Sequence, residues 1–523
     1  MEKESVAVID LGTNTFHLLI AEVNSEGEFY IQHKFKEMVK LGEGGIDSNI
    51  IAEPAFHRGI QALKNFSQYI EQHHCQRIIA FATSAIRTAK NGQDFVRRAF
   101  EVTGIKIQVI NGNEEAALIY EGVRNGIQLP HQEPVLIMDI GGGSVEFIVA
   151  NSLHPLLLRS LNLGAARMYE KFKPSDPMTP QQIALIENYY QQELKTLIDE
   201  IREFQVTKLI GTSGTFETLA TMIAYQQGDV LTASGNINGY QFHAEQFYSI
   251  YHQLLNANRE QRLQIQGMDK QRVDLINVGI ILIATVQKLL NINKFMVSTY
   301  ALKDGIFFTH LGNKVHGIGA SSPNDKSIRE KAVKNLCKKF HCTEKHTQKV
   351  LQLALSLFEQ TKELHWYGEL EKELLTYAAW LHDIGYYIHR SGHHKHGQYI
   401  IMNSQLAGFS HDELLLLGNI VRYHRKSLPS KDHPYYAILT PEHKVMVKKL
   451  AAILRLADHL DKGHRSLVQK LVVECTPQTV HIHVHSDDDI TPEIDAANKE
   501  KELFEDAFKV KVSLTPVLTP IKS

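Results

Sequence analysis

Cysteine is scarce in this 523-residue chain: Cys75, Cys337, Cys342 and Cys475, with no Cys-x-x-Cys pair. That scatter excludes a disulfide framework and a zinc knuckle, and it predicts a reducing compartment. Net charge is nearly absent as well, −2 with a pI near 7.0. No global field draws the chain to nucleic acid or to a membrane surface, so any polyanion site has to be a local basic patch. Long apolar runs are also missing. The longest, Ile276 to Leu290, is broken by Asn277, Gly279, Thr285, Gln287 and Lys288, and the opening MEKESVAVID has no apolar run behind its charges. No integral membrane contact and a cytoplasmic location are expected. The length exceeds what one core supports and predicts three or four domains.

Two stretches echo each other. Val135 to Ala150 (VLIMDIGGGSVEFIVA) and Val6 to Val23 (VAVIDLGTNTFHLLIAEV) each run from an apolar segment through Asp, glycine and hydroxyl or amide residues into a second apolar segment. Each predicts a β-hairpin with a phosphate-sized turn, and the duplication predicts two similar lobes sharing a cleft. Gly141, Gly142 and Gly143 leave no Cβ in the way of converging backbone N–H groups, and Ser144 adds a hydroxyl. Gly12, Thr13, Asn14 and Thr15 form the matching turn. Asp10 and Asp139, at the two strand ends, are placed to hold a hard cation or its waters.

DLGTNT (Asp10 to Thr15) and DIGGGSVE (Asp139 to Glu146) resemble the phosphate loops of the actin, sugar-kinase and heat-shock-chaperone ATPase superfamily. With GNEEA (Gly112 to Ala116), they resemble more narrowly the exopolyphosphatase and guanosine pentaphosphate phosphatase family, over nearly the whole chain. The resemblance implies an α/β fold of two actin-like (ribonuclease H-like) lobes, then an all-α HD-type domain and a small α/β cap. It also implies Mg²⁺-dependent, processive removal of the terminal phosphate of inorganic polyphosphate, or of guanosine pentaphosphate, by a homodimer. Glu115 matches the family's catalytic Glu, although acidic residues are favoured in any first helical turn, here behind an expected N-cap at Asn113. Glu146 supports metal or water beside Asp10 and Asp139. Arg87, in ATSAIRTA, and Arg167, in LNLGAARM, are expected phosphate contacts. Thr212, Ser213 and Gly214, in LIGTSGT, are expected to line the cleft. Two other readings stay open: a kinase or ATPase on the same scaffold, and a non-catalytic polyphosphate or nucleotide sensor.

The expected division is 1–124 and 125–312 for the lobes, 313–325 for a linker rich in Gly, Ser, Asn and Pro, 326–465 for the helical domain and 466–523 for the cap. Eight of the 28 histidines fall between His382 and His433. WLHDIG, on a helix, with His346 before it and Asp458 after it, resembles the HD phosphohydrolase fold, whose metal ligands match His346, His382, Asp383 and Asp458. His393, His394, His396 and His424 resemble positions that extend such a site. Imidazoles with carboxylates suit a transition metal, so a second metal is expected there. HRSGHHKHGQY, RYHRK and the segment Lys444 to Arg465 supply the missing basic patch, a track for long polyphosphate. In the cap, two strands about a Thr-Pro-Gln turn precede a helix over Pro492 to Phe508 and a strand from Lys509.

Overall fold

The computed structural model describes residues 3–24, 29–229, 235–311, 325–404 and 406–518. They form two compact units, Met1–Ile328 with Ala407–Ser410, and Arg329–Leu406 with His411–Ser523. The expected linker, 313–325, lies outside the described residues except for Asp325, where a helix has begun.

In the first unit, β1 (Lys3–Leu11), β2 (Thr15–Asn24), β3 (Phe29–Met38), β4 (Arg77–Ala82) and β5 (Ile107–Val109) form one sheet, ordered β3-β2-β1-β4-β5. A second sheet contains β6 (Val135–Ile140), β7 (Val145–Ala150), β8 (Pro155–Leu161), β9 (Lys208–Thr212), β10 (Gln241–His243) and β11 (Lys294–Ser298), ordered β10-β11-β9-β6-β7-β8. The two repeat one plan. In each, the strand carrying the motif Asp pairs antiparallel with its hairpin partner on one side and parallel with a later strand on the other. The all-buried β6 and β7 explain why their sequence is continuously apolar rather than alternating. β4 is covered only over Ala80 to Ala82, and its first three residues are partly or wholly exposed.

The sheets share a core. Val6, Val8 and Leu19 from one and Ile137 and Ile148 from the other pack with Ile119, Val123, Ile306 and Phe307, which lie on the helices Gly112–Gly126 and Leu302–Leu311. These helices meet at glycines: a Cβ on Gly305 would stand 1.7 Å from the Leu118 carbonyl oxygen, and one on Gly122 would stand 2.2 Å from that of Ala301. Only hydrogen side chains allow so close an approach.

The second unit is built on the helices Glu344–Gln360, Glu369–Leu381, His393–Met402, His411–Tyr423 and Pro441–His459. Leu353, Leu357, Leu450 and Leu454 are among its buried residues. A sheet follows, β12 (Lys470–Cys475), β13 (Thr479–Ser486) and β14 (Lys511–Leu518), with β13 between an antiparallel and a parallel neighbour. The single helix expected over Pro492 to Phe508 is two, Thr491–Glu500 and Glu502–Phe508. Among the described residues, no helix is long and apolar enough to cross a membrane.

Candidate active site

The two glycine turns of the first unit abut. A Cβ on Gly142 would lie 3.1 Å from Thr13 Cβ, and one on Gly143 would lie 2.5 Å from Thr13 Oγ1 and 2.7 Å from Ser84 Oγ. The expected role of the Gly12 N–H as an anion donor is not available, because it closes its own turn on the Thr15 carbonyl at 3.1 Å. The Thr13 and Asn14 carbonyls accept from Gly42 N–H and from Val39 and Lys40 N–H, which braces the turn from behind. The carbonyls of Gly141 and Gly142 are likewise taken by Ala165, Ala166 and Arg167 N–H.

Carboxyl groups converge here. Asp139 and Glu146 are direct partners across β6 and β7, so their side chains leave the sheet on one face. Ser160 Oγ donates to Glu146 Oε1 at 2.7 Å. Glu115 stands at the start of the helix Gly112–Gly126. The N-cap is Asn111 and not Asn113: its side chain accepts from the N–H groups of Asn113 and Glu114, and Glu114 returns the bond to close a capping box. Glu114 is thereby consumed in capping, and Glu115 is left to project into the buried side.

Burial raises all four pKa values. Asp10 and Glu115 go to about 7 and Asp139 to about 6, while Glu146 lies well above the ordinary value. Mutual repulsion adds to burial: Glu115 and Asp139 raise Asp10, and the same pair raises Glu146. Arg87 and Lys303 oppose it, the first at Glu115 and the second at Asp10 and Asp139. Asp10 Oδ1 and Asp139 Oδ1 are buried with no hydrogen-bond partner, as are Thr15 Oγ1 and Ser84 Oγ. Two uncompensated carboxylate oxygens beside like-charged neighbours fit a divalent cation, whose hard oxygen-ligand chemistry they match.

The other expected contacts fall differently. Arg87 Nη1 donates to Glu115 Oε2 at 2.7 Å and to the Ile110 carbonyl at 3.0 Å, so it serves the carboxyl group first. Arg167 is buried and its donors go to the Gly143 and Ile46 carbonyls, Asn49 Oδ1 and Thr88 Oγ1. It straps one glycine turn to the facing segments, and these bonds take four of its five N–H groups. Thr212 is fully buried with its hydroxyl on the Tyr300 carbonyl. Ser213, at φ +68°, hydrogen-bonds Asp139. Gly214 makes room for Arg272, whose Nε lies 2.4 Å from where a Cβ would be.

Sequence reasoning left out Lys303, Arg272, Glu217 and Ser84. Lys303 and Arg272 lower the pKa of Asp139 and Glu217, so they are the cations facing the carboxyl cluster. They sit in ALKDG and RVDLINVG, segments that resemble family segments closing this lobe but point to no chemistry by themselves.

In the second unit, His346, His382, Asp383 and Asp458 do come together. His346 Nε2 is 3.4 Å from Asp458 Oδ1 and 3.7 Å from Asp383 Oδ2, and His382 Nε2 is 3.5 Å from Asp383 Oδ2. His393 and His424 join Asp383, whereas His394 is buried with neither ring nitrogen bonded. The His-Asp pair does not lie on a helix. The helix ends at Leu381, His382 caps it and Asp383 opens a 3₁₀ turn, Ile384–Tyr387, which aims two adjacent side chains at one place.

Two sheets of repeated order, abutting glycine turns and a buried carboxyl cluster define an actin-like α/β protein of the phosphohydrolase class. Residues 19–314 match the Ppx/GppA phosphatase family and residues 328–507 match Ppx/GppA phosphatase, domain III; the chain belongs to the Ppx/GppA phosphatase family. Among its relatives is an exopolyphosphatase from Cytophaga hutchinsonii, 36% identical with a TM-score of 0.56 over 59% of this chain and 98% of that one. The guanosine-5'-triphosphate,3'-diphosphate pyrophosphatase of Pseudoalteromonas atlantica is 27% identical over 87% of this chain and 86% of its own length. That of Pseudoalteromonas translucida is 28% identical over 87% of each. A family member from Aquifex aeolicus, 23% identical with a TM-score of 0.50, shares the fold.

Proposed function

We propose that this chain is an exopolyphosphatase, removing the terminal phosphate of inorganic polyphosphate processively and releasing orthophosphate. The observation that carries the reading is the set Asp10, Glu115, Asp139 and Glu146, gathered at two abutting glycine turns with the last three buried and Asp10 half-buried. The C. hutchinsonii exopolyphosphatase favours polyphosphate by its 36% identity. Guanosine pentaphosphate as substrate is favoured by the Pseudoalteromonas relatives, which align over more of the chain.

The Thr13 N–H and those of Gly142 to Ser144 hold the terminal phosphoryl group, whose oxygens carry the charge of a loose transition state. Asp10 and Asp139, with Glu146 in support, would hold Mg²⁺, which when bound would neutralise charge developing on phosphate oxygens. Water attacks the terminal phosphorus, its proton passes to Glu115, and the P–O bond to the rest of the chain breaks. With a pKa near 7, Glu115 is basic enough to take that proton, and about half of it is ionised at neutral pH. Arg87 fixes the carboxylate by its 2.7 Å bond and offers its remaining N–H groups to the substrate. Lys303 and Arg272 are further cations for the phosphate chain.

Residues 1–124 and 125–312 are assigned as the two actin-like lobes, 326–465 as an HD-type helical domain whose basic segments form a polyphosphate track, and 466–523 as a cap. His346, His382, Asp383 and Asp458 are assigned to a metal ion. A cytoplasmic homodimer completes the reading. Orthophosphate release with Mg²⁺ from long polyphosphate and from guanosine pentaphosphate, measured in parallel, tests it. Faster release from polyphosphate supports the first substrate, and the reverse ratio selects the second. Phosphorylation of an acceptor by ATP, or binding with no release, would overturn both.

A further inference from the structure

The helix Asp325–Lys339 ends by folding back on itself. The Cys342 N–H donates to the Cys337 carbonyl at 3.0 Å and the His341 N–H donates to the Lys338 carbonyl at 3.3 Å, with His341 at φ +52°. Those two bonds and that left-handed residue make a Schellman ending, in which the residue after the turn lies against the last helical turn. The two residues that it brings together here are both cysteines. A 3.0 Å bond from one to the other leaves their Cα atoms no more than about 6.9 Å apart. Bends at the carbonyl oxygen and at the nitrogen bring them closer still, into the range of roughly 4.4–6.8 Å that a disulfide spans.

The side chains meet as well. A hydrogen bond between the two thiols is the largest influence raising the pKa of Cys337, and burial adds to it. Cys337 is 6% exposed, and its Sγ donates to the Trp380 carbonyl at 3.2 Å. Cys342 is half-buried and open to a reagent from solvent, close in sequence to the exposed Lys338, Lys339 and Lys345. Packing alone would be met by any two small apolar side chains, whereas two thiols in contact also form a dithiol. Cys75 and Cys475 differ, with sulfurs facing Ser5 Oγ and the Gln360 carbonyl.

We propose that Cys337 and Cys342 are a site of reversible oxidation, closing an intrachain disulfide at the end of this helix when a small-molecule disulfide such as oxidised glutathione is present. Cys342 loses its proton to solvent and attacks one sulfur of the oxidant, releasing the first thiolate and leaving a mixed disulfide on Cys342. Cys337 then gives its proton to that thiolate and attacks the Cys342 sulfur. The bond between Cys337 and Cys342 forms, the mixed disulfide breaks and the second thiol leaves. The chain gives up two hydrogens with their electrons, and the oxidant is reduced to two thiols. The lysines attract an oxidant that, like glutathione, carries carboxylates. The site lies in the second unit and does not depend on the substrate of the cleft.

The reduced full-length chain is equilibrated with reduced and oxidised glutathione, free thiols are alkylated, and tryptic peptides are weighed by mass spectrometry. Trypsin cuts after Lys338 and Lys339, between the two cysteines, so only a disulfide keeps their peptides joined. The joined pair is expected, falling apart on reduction, with Cys75 and Cys475 alkylated. Diluting both forms of glutathione about tenfold at a fixed ratio should raise the ratio of joined to reduced chain about tenfold, because closure releases two thiols for each disulfide consumed. Cys337→Ala should instead carry glutathione on Cys342, in an amount that the dilution leaves unchanged. A stable glutathione adduct on Cys342 of the wild type, or joining in no more of the chain than the fraction modified at Cys75 and Cys475, overturns the proposal. If Cys337→Ala fails to fold, the wild-type peptides and their response to dilution decide alone.

Discussion

Glu115 and Arg87 form a 2.7 Å pair in which each sets the other's chemistry. Glu115 must be ionised to accept a proton from water, and its pKa is raised to about 7. Turnover is therefore expected to rise with pH through about 7, read as the acid limb of the kcat/KM profile. Arg87 is the largest influence lowering that pKa. Arg87→Met should move the acid limb upward by about one unit or more, and an unmoved limb would reduce Arg87 to a substrate contact. The same groups link pH to stability. Asp10, Glu115 and Asp139 bind protons more tightly folded than unfolded, so their contribution is complete below about pH 4. It is lost as pH rises through 6 to 7, their folded values. Thermal unfolding of Mg²⁺-free protein should show that fall, and the gain in Tm on adding Mg²⁺ should grow over the same window.

Hairpins and helix termini are the level at which the sequence was most and least legible. Apolar run, Asp, glycine turn and apolar run specify a hairpin locally, so β1-β2 and β6-β7 could be read directly, whereas the register that pairs Asp139 with Glu146 came with the structure. The carboxyl residues came from these motifs and from GNEEA. The cations did not, because Lys303 and Arg272 reach the cluster through tertiary packing of elements far apart in the chain. Arg167 shows a related limit: an Arg after a glycine turn looks like an anion donor, and the carbonyl acceptors that take its N–H groups come from other segments. Asn111 and Asn113 are both N-cap residues by type, and only the reciprocal bond with Glu114 separates them. Two glycines give predictions at this scale. Gly143→Ala puts a methyl 2.5 Å from Thr13 Oγ1 and should force the facing turns apart, abolishing most phosphate release while the fold persists. Gly305→Ala sets a Cβ 1.7 Å from a backbone oxygen in the shared core. It should cost about 3 kcal/mol, the upper end for overpacking, and appear as a lower unfolding midpoint.

At the scale of the whole molecule, a neutral protein handling a polyanion has to concentrate its positive charge. The basic segments HRSGHHKHGQY and RYHRK lie in the second unit, and the carboxyl cluster lies in the first. Removing the residues after about 320 should slow release from long polyphosphate far more than from short chains, and equal loss on both would remove the track from the account. The histidines and basic runs gather late in the chain, which set the helical part apart in the sequence. The shared core between the sheets was not visible there, because residues from both halves build it. The central claim is that Glu115 takes the proton from the attacking water. The measurement that tests it most directly is Mg²⁺-dependent orthophosphate release by wild type and Glu115→Ala, with substrate binding measured in parallel. The account predicts a loss of about two to four orders of magnitude with binding retained. Undiminished release from the variant would contradict it and leave Glu115 a buried residue of the helix start.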